Sequence, residues 1–140
     1  MAFREISAWI MVLALLLGGA FYARAVAELS AGLGELAPPA LPLVVVYTIL
    51  LVAVAVVGHI AASVVAYRDA GAPADERDRR IATRASHLSS YVLGVGVVTS
   101  LGVYLLSPRG DLLFYLVFAS LMLSNLAEYA LQILFYRRAV

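Results

Sequence analysis

The sequence predicts an all-α fold: a four-helix transmembrane bundle with both termini on the cytoplasmic side and its third helix extended into the cytoplasm. Three observations carry this. Mean hydropathy is +0.95, and 64% of residues are hydrophobic against 14% charged, well outside the range of a water-soluble core. The apolar residues gather into four stretches, at about 7–27, 41–67, 86–106 and 112–136, each long enough at 1.5 Å per residue to cross about 30 Å of hydrocarbon. Charge gathers mostly in the intervals, seven of the nineteen formally charged side chains falling within residues 75–84. Inside lipid the backbone must satisfy its own hydrogen bonds, so helices are expected at these lengths. The whole chain, 1–140, reads as one integral membrane domain.

Each element has its own signal. The first stretch, "SAWIMVLALLLGGAFYA", follows "MAFREI". It is long for the apolar region of a cleaved signal peptide, and Glu5 interrupts the basic start, so it is read as a retained span. Pro38, Pro39 and Pro42 mark the turn into the second stretch, which carries no formal charge. In "APADERDRRI", Asp75 is the expected N-cap, with Glu76 and Asp78 in the first turn beside the positive helix end. The third helix is therefore expected to start before the membrane and run into it. "SPRGD" turns it into the fourth.

Arginine placement predicts orientation. All ten basic residues are Arg. Arg4, Arg68, Arg77, Arg79, Arg80, Arg84, Arg137 and Arg138 would share one side, against Arg24 and Arg109 on the other. Such a bias on short loops puts the termini and the central loop in the cytoplasm. The chain is expected to cross its membrane several times. A net charge of +1 offers nucleic acid no general attraction.

Arg77, Arg80, Arg84, His87 and Tyr91 follow spacings of 3 and 4, one helix face, with Ile81, Ala85 and Leu88 on another. That basic face is either an anchor against anionic headgroups or, with the acidic turn before it, a docking surface for a soluble partner. The expected partner-binding residues are Asp75, Glu76, Arg77, Asp78, Arg80, Arg84, Arg137 and Arg138. Ser86, Ser90, Gly94 and Gly102 form a ridge of small residues expected to let helices approach, as do Ala14 and Gly18 in the first helix.

Polar side chains inside the spans are the second candidate. Glu128 shares a ridge with Ser120, Ser124 and Gln132, and Asn125 lies beside it. A carboxylate there must be neutral, paired or facing a cavity. Counted from Arg137 and Arg68, Glu128 and His59 each lie about 13 Å deep, and His87 about 10 Å from Arg80. Similar depth predicts a hydrogen bond between His59 and Glu128 that sets helix order. The same groups admit proton relay, or haem or a metal at His59 and His87. No cofactor is expected, because two histidines without a motif do not define a site. Enzyme activity is not expected either: there is no cysteine and no nucleophile paired with a base at motif spacing.

The "DERDRRI" turn, followed by "SSYVLGVG" and closed by "LAEYALQILFYRRA", resembles an uncharacterised bacterial family of small four-span membrane proteins, often encoded beside a helix-turn-helix regulator. The matching residues are Asp75, Glu76, Arg77, Asp78, Tyr91, Glu128, Gln132, Tyr136, Arg137 and Arg138. The resemblance implies four spans, a bacterial cytoplasmic (inner) membrane location, no known enzyme activity and a regulatory partner. Small multidrug transporters share the architecture, but they carry their membrane glutamate in the first helix. The expectation is therefore a non-enzymatic sensor or tether presenting its charged turn to a cytoplasmic regulatory protein. The alternative is a small proton-, ion- or solute-translocating protein using Glu128 and His59, which at this size would work as a homo-oligomer.

Overall fold

A computed structural model describes residues 3–65 and 75–138. The described residues form four helices: α1 (Phe3–Leu33), α2 (Leu41–Val65), α3 (Glu76–Leu106) and α4 (Gly110–Arg138). All four are long and apolar enough to cross a membrane. Ala66, Tyr67 and Arg68, expected at the end of the second span, lie outside the described residues.

Local chemistry sets the helix ends. α1 runs six residues beyond the expected span and stops at Gly34, whose φ of 72° is the left-handed conformation that suits glycine. There the Gly34 N–H donates to the Ser30 carbonyl at 3.0 Å, and the Ala37 N–H donates to Ser30 Oγ at 3.0 Å. Pro42 falls in the first turn of α2, where a missing N–H costs nothing. Asp75 caps α3 as expected, its Oδ1 accepting from the Asp78 N–H at 2.8 Å. α3 is continuous from Glu76, ten residues ahead of the expected span. At its far end the Ser107 N–H donates to the Val103 carbonyl at 2.9 Å, and α4 starts at Gly110 after Pro108.

The helices pack in the order α2, α1, α4, α3, with α1 and α4 central. The start of α1, the end of α4 and the start of α3 meet at one end, and the 34–40 and 107–109 segments lie at the other. Small residues set the interhelical distances. A Cβ on Gly18 would meet the Tyr47 ring at 3.1 Å, and one on Gly58 would meet Ile10 at 2.5 Å, so α1 and α2 approach closely. The Ala14 and Gly18 ridge is thus a packing surface, both residues being buried.

The expected ridge on α3 is not one. Ser86, Ser90, Gly94 and Gly102 are exposed, and a Cβ on Gly94 or Gly102 would meet nothing within 4 Å. α3 instead turns Ile81, Ala85, Ser89 and Ser100 inward, with Gly96 against α4. A Cβ on Gly96 would stand 2.6 Å from Ser120 Cβ, and Ser124 Oγ donates to the Ser89 carbonyl at 2.9 Å. Leu88, expected beside Ile81 and Ala85, is 37% exposed, because the α3–α4 contact passes through Ser89.

Tyr22, Tyr47 and Phe118 form an aromatic cluster where α1, α2 and α4 meet, with centroids 4.7–5.6 Å apart. Near it Tyr115 Oη donates to the Ala37 carbonyl at 2.9 Å, tying the 34–40 segment to α4.

Candidate functional site

The charged end of the bundle is built around Asp78. Its backbone N–H is held by Asp75. Oδ2 pairs with Arg4 Nε at 2.9 Å, and Oδ1 accepts from Tyr136 Oη at 3.0 Å. One carboxylate in the first turn of α3 therefore joins the start of α1 and the end of α4. A second link lies beside it: Arg137 Nε approaches Glu5 Oε1 at 3.3 Å, and its guanidinium stands 5.5 Å over the Trp9 ring. Arg84 lies 5.1 Å over Phe135, a further tie between α3 and α4.

The expected docking residues therefore divide. Asp75 is the helix cap; Asp78, Arg84 and Arg137 hold elements together. Arg77 is engaged within the chain. Glu76 and Arg80 pair with each other at 2.6 Å across one helical turn and stay exposed, as does Arg138. Exposed pairs of this kind contribute about 0–1 kcal/mol each, so they shape the surface more than they stabilise it. Arg4, Glu5, Trp9 and Tyr136 were not assigned to this site from the sequence. The arginine count had already placed Arg4 and Arg137 at one end, but nothing in it names their partners.

The polar groups inside the spans are arranged differently from the expectation. His59 Nε2 lies 2.7 Å from Ser7 Oγ, and Nδ1 lies 2.7 Å from the Ala55 carbonyl. A carbonyl only accepts, so Nδ1 carries a proton, and in the neutral ring Nε2 accepts from the serine. His59 thus joins α2 to α1, and no hydrogen bond links it to Glu128. Equal depth misled because it was counted from Arg68, which lies outside the described residues, and the described helices are offset along their axes. His59 stands opposite Ser7 on α1, while the Glu5–Arg137 and Gly19–Met122 contacts put Glu128 near the level of Leu13, about 9 Å farther along.

His87 is close to Glu128 in level, since Tyr136 meets Asp78 and Ser124 meets Ser89 along the antiparallel α3–α4 pair. It points elsewhere: His87 is exposed and lies 3.3 Å from Tyr91 Oη. The buried α3 residue at this level is Ala85. Glu128 and Gln132 are half-buried and have no hydrogen-bond partner among the described residues. Asn125 is exposed and returns its amide to the Leu121 carbonyl of its own helix at 2.8 Å. No three of His, Cys, Asp and Glu gather to hold a metal among the described residues, and His59 and His87 sit on the two flanking helices.

No protein-family model matches this chain, and no curated protein and no solved structure matches it either.

Proposed function

We propose that the chain is a non-enzymatic membrane tether or sensor that presents its charged end to a soluble regulatory protein, in a bacterial inner membrane with both termini in the cytoplasm. The observation that supports this reading most is the Asp78 junction. It joins α1, α3 and α4 into one platform, while Glu76, Arg80 and Arg138 remain exposed on it. A platform held by ties of this kind loses little conformational entropy when a partner docks. The α3–α4 ties at the junction also give a route for change, since a shift between these helices alters the surface that the partner meets.

The test exchanges Glu76 and Arg80 (Glu76→Arg with Arg80→Glu) and reverses Arg138→Glu. The exchange keeps an ion pair across the same helical turn while inverting the exposed pattern. Partner capture from native membranes, scored against the unaltered chain, should fall at least tenfold with the melting temperature preserved. Unchanged capture, or no stoichiometric soluble partner at all, refutes the docking reading.

Glu128 supports a second reading, proton or ion translocation, because it is half-buried and has no hydrogen-bond partner among the described residues. His59 is no longer part of it. Proton flux in proteoliposomes that persists in Glu128→Gln rules this reading out, because an amide does not exchange the proton.

A further inference from the structure

We infer that the outer flank of α3 holds the phosphate of an anionic phospholipid, in a shallow groove formed by Arg79, Thr83, Arg84 and His87 below the Glu76–Arg80 pair. The groove is about 440 Å³ and is lined by these six residues. Its charge is unbalanced. Glu76 lies 2.6 Å from Arg80 and neutralises it, leaving the guanidiniums of Arg79 and Arg84 without an acidic partner among the described residues. Arg84 is held in place over Phe135 at 5.1 Å. One of the two cations is therefore pre-positioned and the other is free to close on a ligand. Thr83 supplies a hydroxyl between them, and the set matches the oxygens of a phosphate diester.

The same helix face says why the phosphate belongs to a lipid. His87 and Tyr91 lie at the foot of the groove, 3.3 Å apart. Tyr91 is itself 60% exposed, and beyond it the face continues as exposed apolar side chains, Val95 at 68% and Val98 at 70%. A ligand seated here meets paired cations at its head and bare hydrocarbon directly below, which is the order of groups in a phospholipid. A free anion uses only the first half, and an acidic peptide would have to carry unpaired backbone groups into hydrocarbon to use the second. This site shares its Glu76–Arg80 rim with the proposed docking platform, but its unbalanced cations are Arg79 and Arg84, which the exchange of Glu76 and Arg80 leaves in place.

The experiment compares the full chain in nanodiscs and detergent with dioleoylphosphatidylglycerol, dioleoylphosphatidylcholine or millimolar inorganic phosphate. Lipid retention is read by native mass spectrometry and thermal protection by melting. Phosphatidylglycerol should be retained and should protect, whereas phosphatidylcholine and phosphate should not. Arg79→Gln and Arg84→Gln should each weaken retention about fivefold, the value of one basic side chain at an anionic surface. Arg138→Gln removes an equal charge at the same end and should leave retention unchanged. Because Arg84 also packs on Phe135, the exposed Arg79 decides the case should the Arg84 variant fold poorly. Equal loss in Arg138→Gln would show a diffuse surface charge and overturn the site. Equal protection by inorganic phosphate would show a free-anion site and overturn the lipid.

Discussion

Ser7 on α1 and His59 on α2 meet at 2.7 Å, oxygen to nitrogen, and the Ala55 carbonyl holds the other ring nitrogen at the same distance. The histidine that depth alone had matched to a glutamate is thereby committed, through both nitrogens, to pinning the first two helices together. Ser7→Ala leaves Nε2 without its donor and should cost about 1 kcal/mol. A double-mutant cycle of Ser7→Ala with His59→Leu should be non-additive. The cycle of His59→Leu with Glu128→Leu should be additive within about 0.5 kcal/mol. Coupling in the second cycle and none in the first would reverse the assignment.

Glu128 has no hydrogen-bond partner to strand among the described residues, so removing its carboxyl should not hurt the fold. Glu128→Gln should be nearly silent in a melting experiment. Glu128→Leu should be neutral or stabilising, with an upper bound near the roughly 2.5–3.5 kcal/mol that a charged side chain costs at a span centre. A loss above about 1 kcal/mol in the Leu variant would reveal a buried polar partner.

Asp78 serves three segments at once, and its loss should exceed that of any one partner. Tyr136→Phe removes one hydrogen bond, at about 0.5–1.5 kcal/mol. Arg4→Gln removes a partly exposed ion pair, at about 0–1 kcal/mol. Asp78→Ala should cost about 2 kcal/mol, and Asp78→Asn should recover part of it, because an amide oxygen still accepts from the tyrosine. Denaturation monitored by tryptophan fluorescence suits this test, since Trp9 sits beside Arg137 at the same end. Equal effects from Asp78→Ala and Arg4→Gln would deny Asp78 its joining role.

Two glycines on α3 should respond in opposite ways. A Cβ on Gly96 would lie 2.6 Å from Ser120 Cβ and 3.5 Å from its Cα, whereas one on Gly94 enters open space. Gly96→Ala should lower stability by about 1–3 kcal/mol through overpacking. Gly94→Ala should be neutral or gain up to about 1 kcal/mol from helix propensity. If Gly94→Ala breaks an assembly while leaving the single chain folded, the exposed ridge contacts a second copy.

Orientation is tested by reporter fusions. Fusions after Leu36 and Arg109 should report the outside, and fusions after Ala74 and Val140 the cytoplasm, as the arginine bias requires. An external Ala74 would invert the orientation and remove the cytoplasmic docking reading with it.

The number of helices, their approximate bounds, the Asp75 cap and the clustering of charge were all legible in the sequence. Each depends on nearest neighbours along the chain: apolar run length, an Asp ahead of an acidic first turn, Pro and Gly at the breaks. Even so, α1 ran past its expected end. Arg24 and Glu28 pair across one turn at 2.8 Å, so the helix carries its own polar support beyond the apolar stretch.

Tertiary structure alone decided which faces meet. Ser86, Ser90, Gly94 and Gly102 make as good a small-residue ridge on paper as Ser89, Gly96 and Ser100, and only the second set touches α4. Rotation of a helix about its axis is set by the sum of contacts with its neighbours, and one-dimensional periodicity does not contain it. Depth fails for a related reason, because helices slide along one another until their packing closes. The slide between α2 and α4 carried His59 to Ser7 and left Glu128 some 9 Å away in level. Residue spacing along the sequence therefore determined what each helix offers, and helix rotation and slide determined which of those offers were taken.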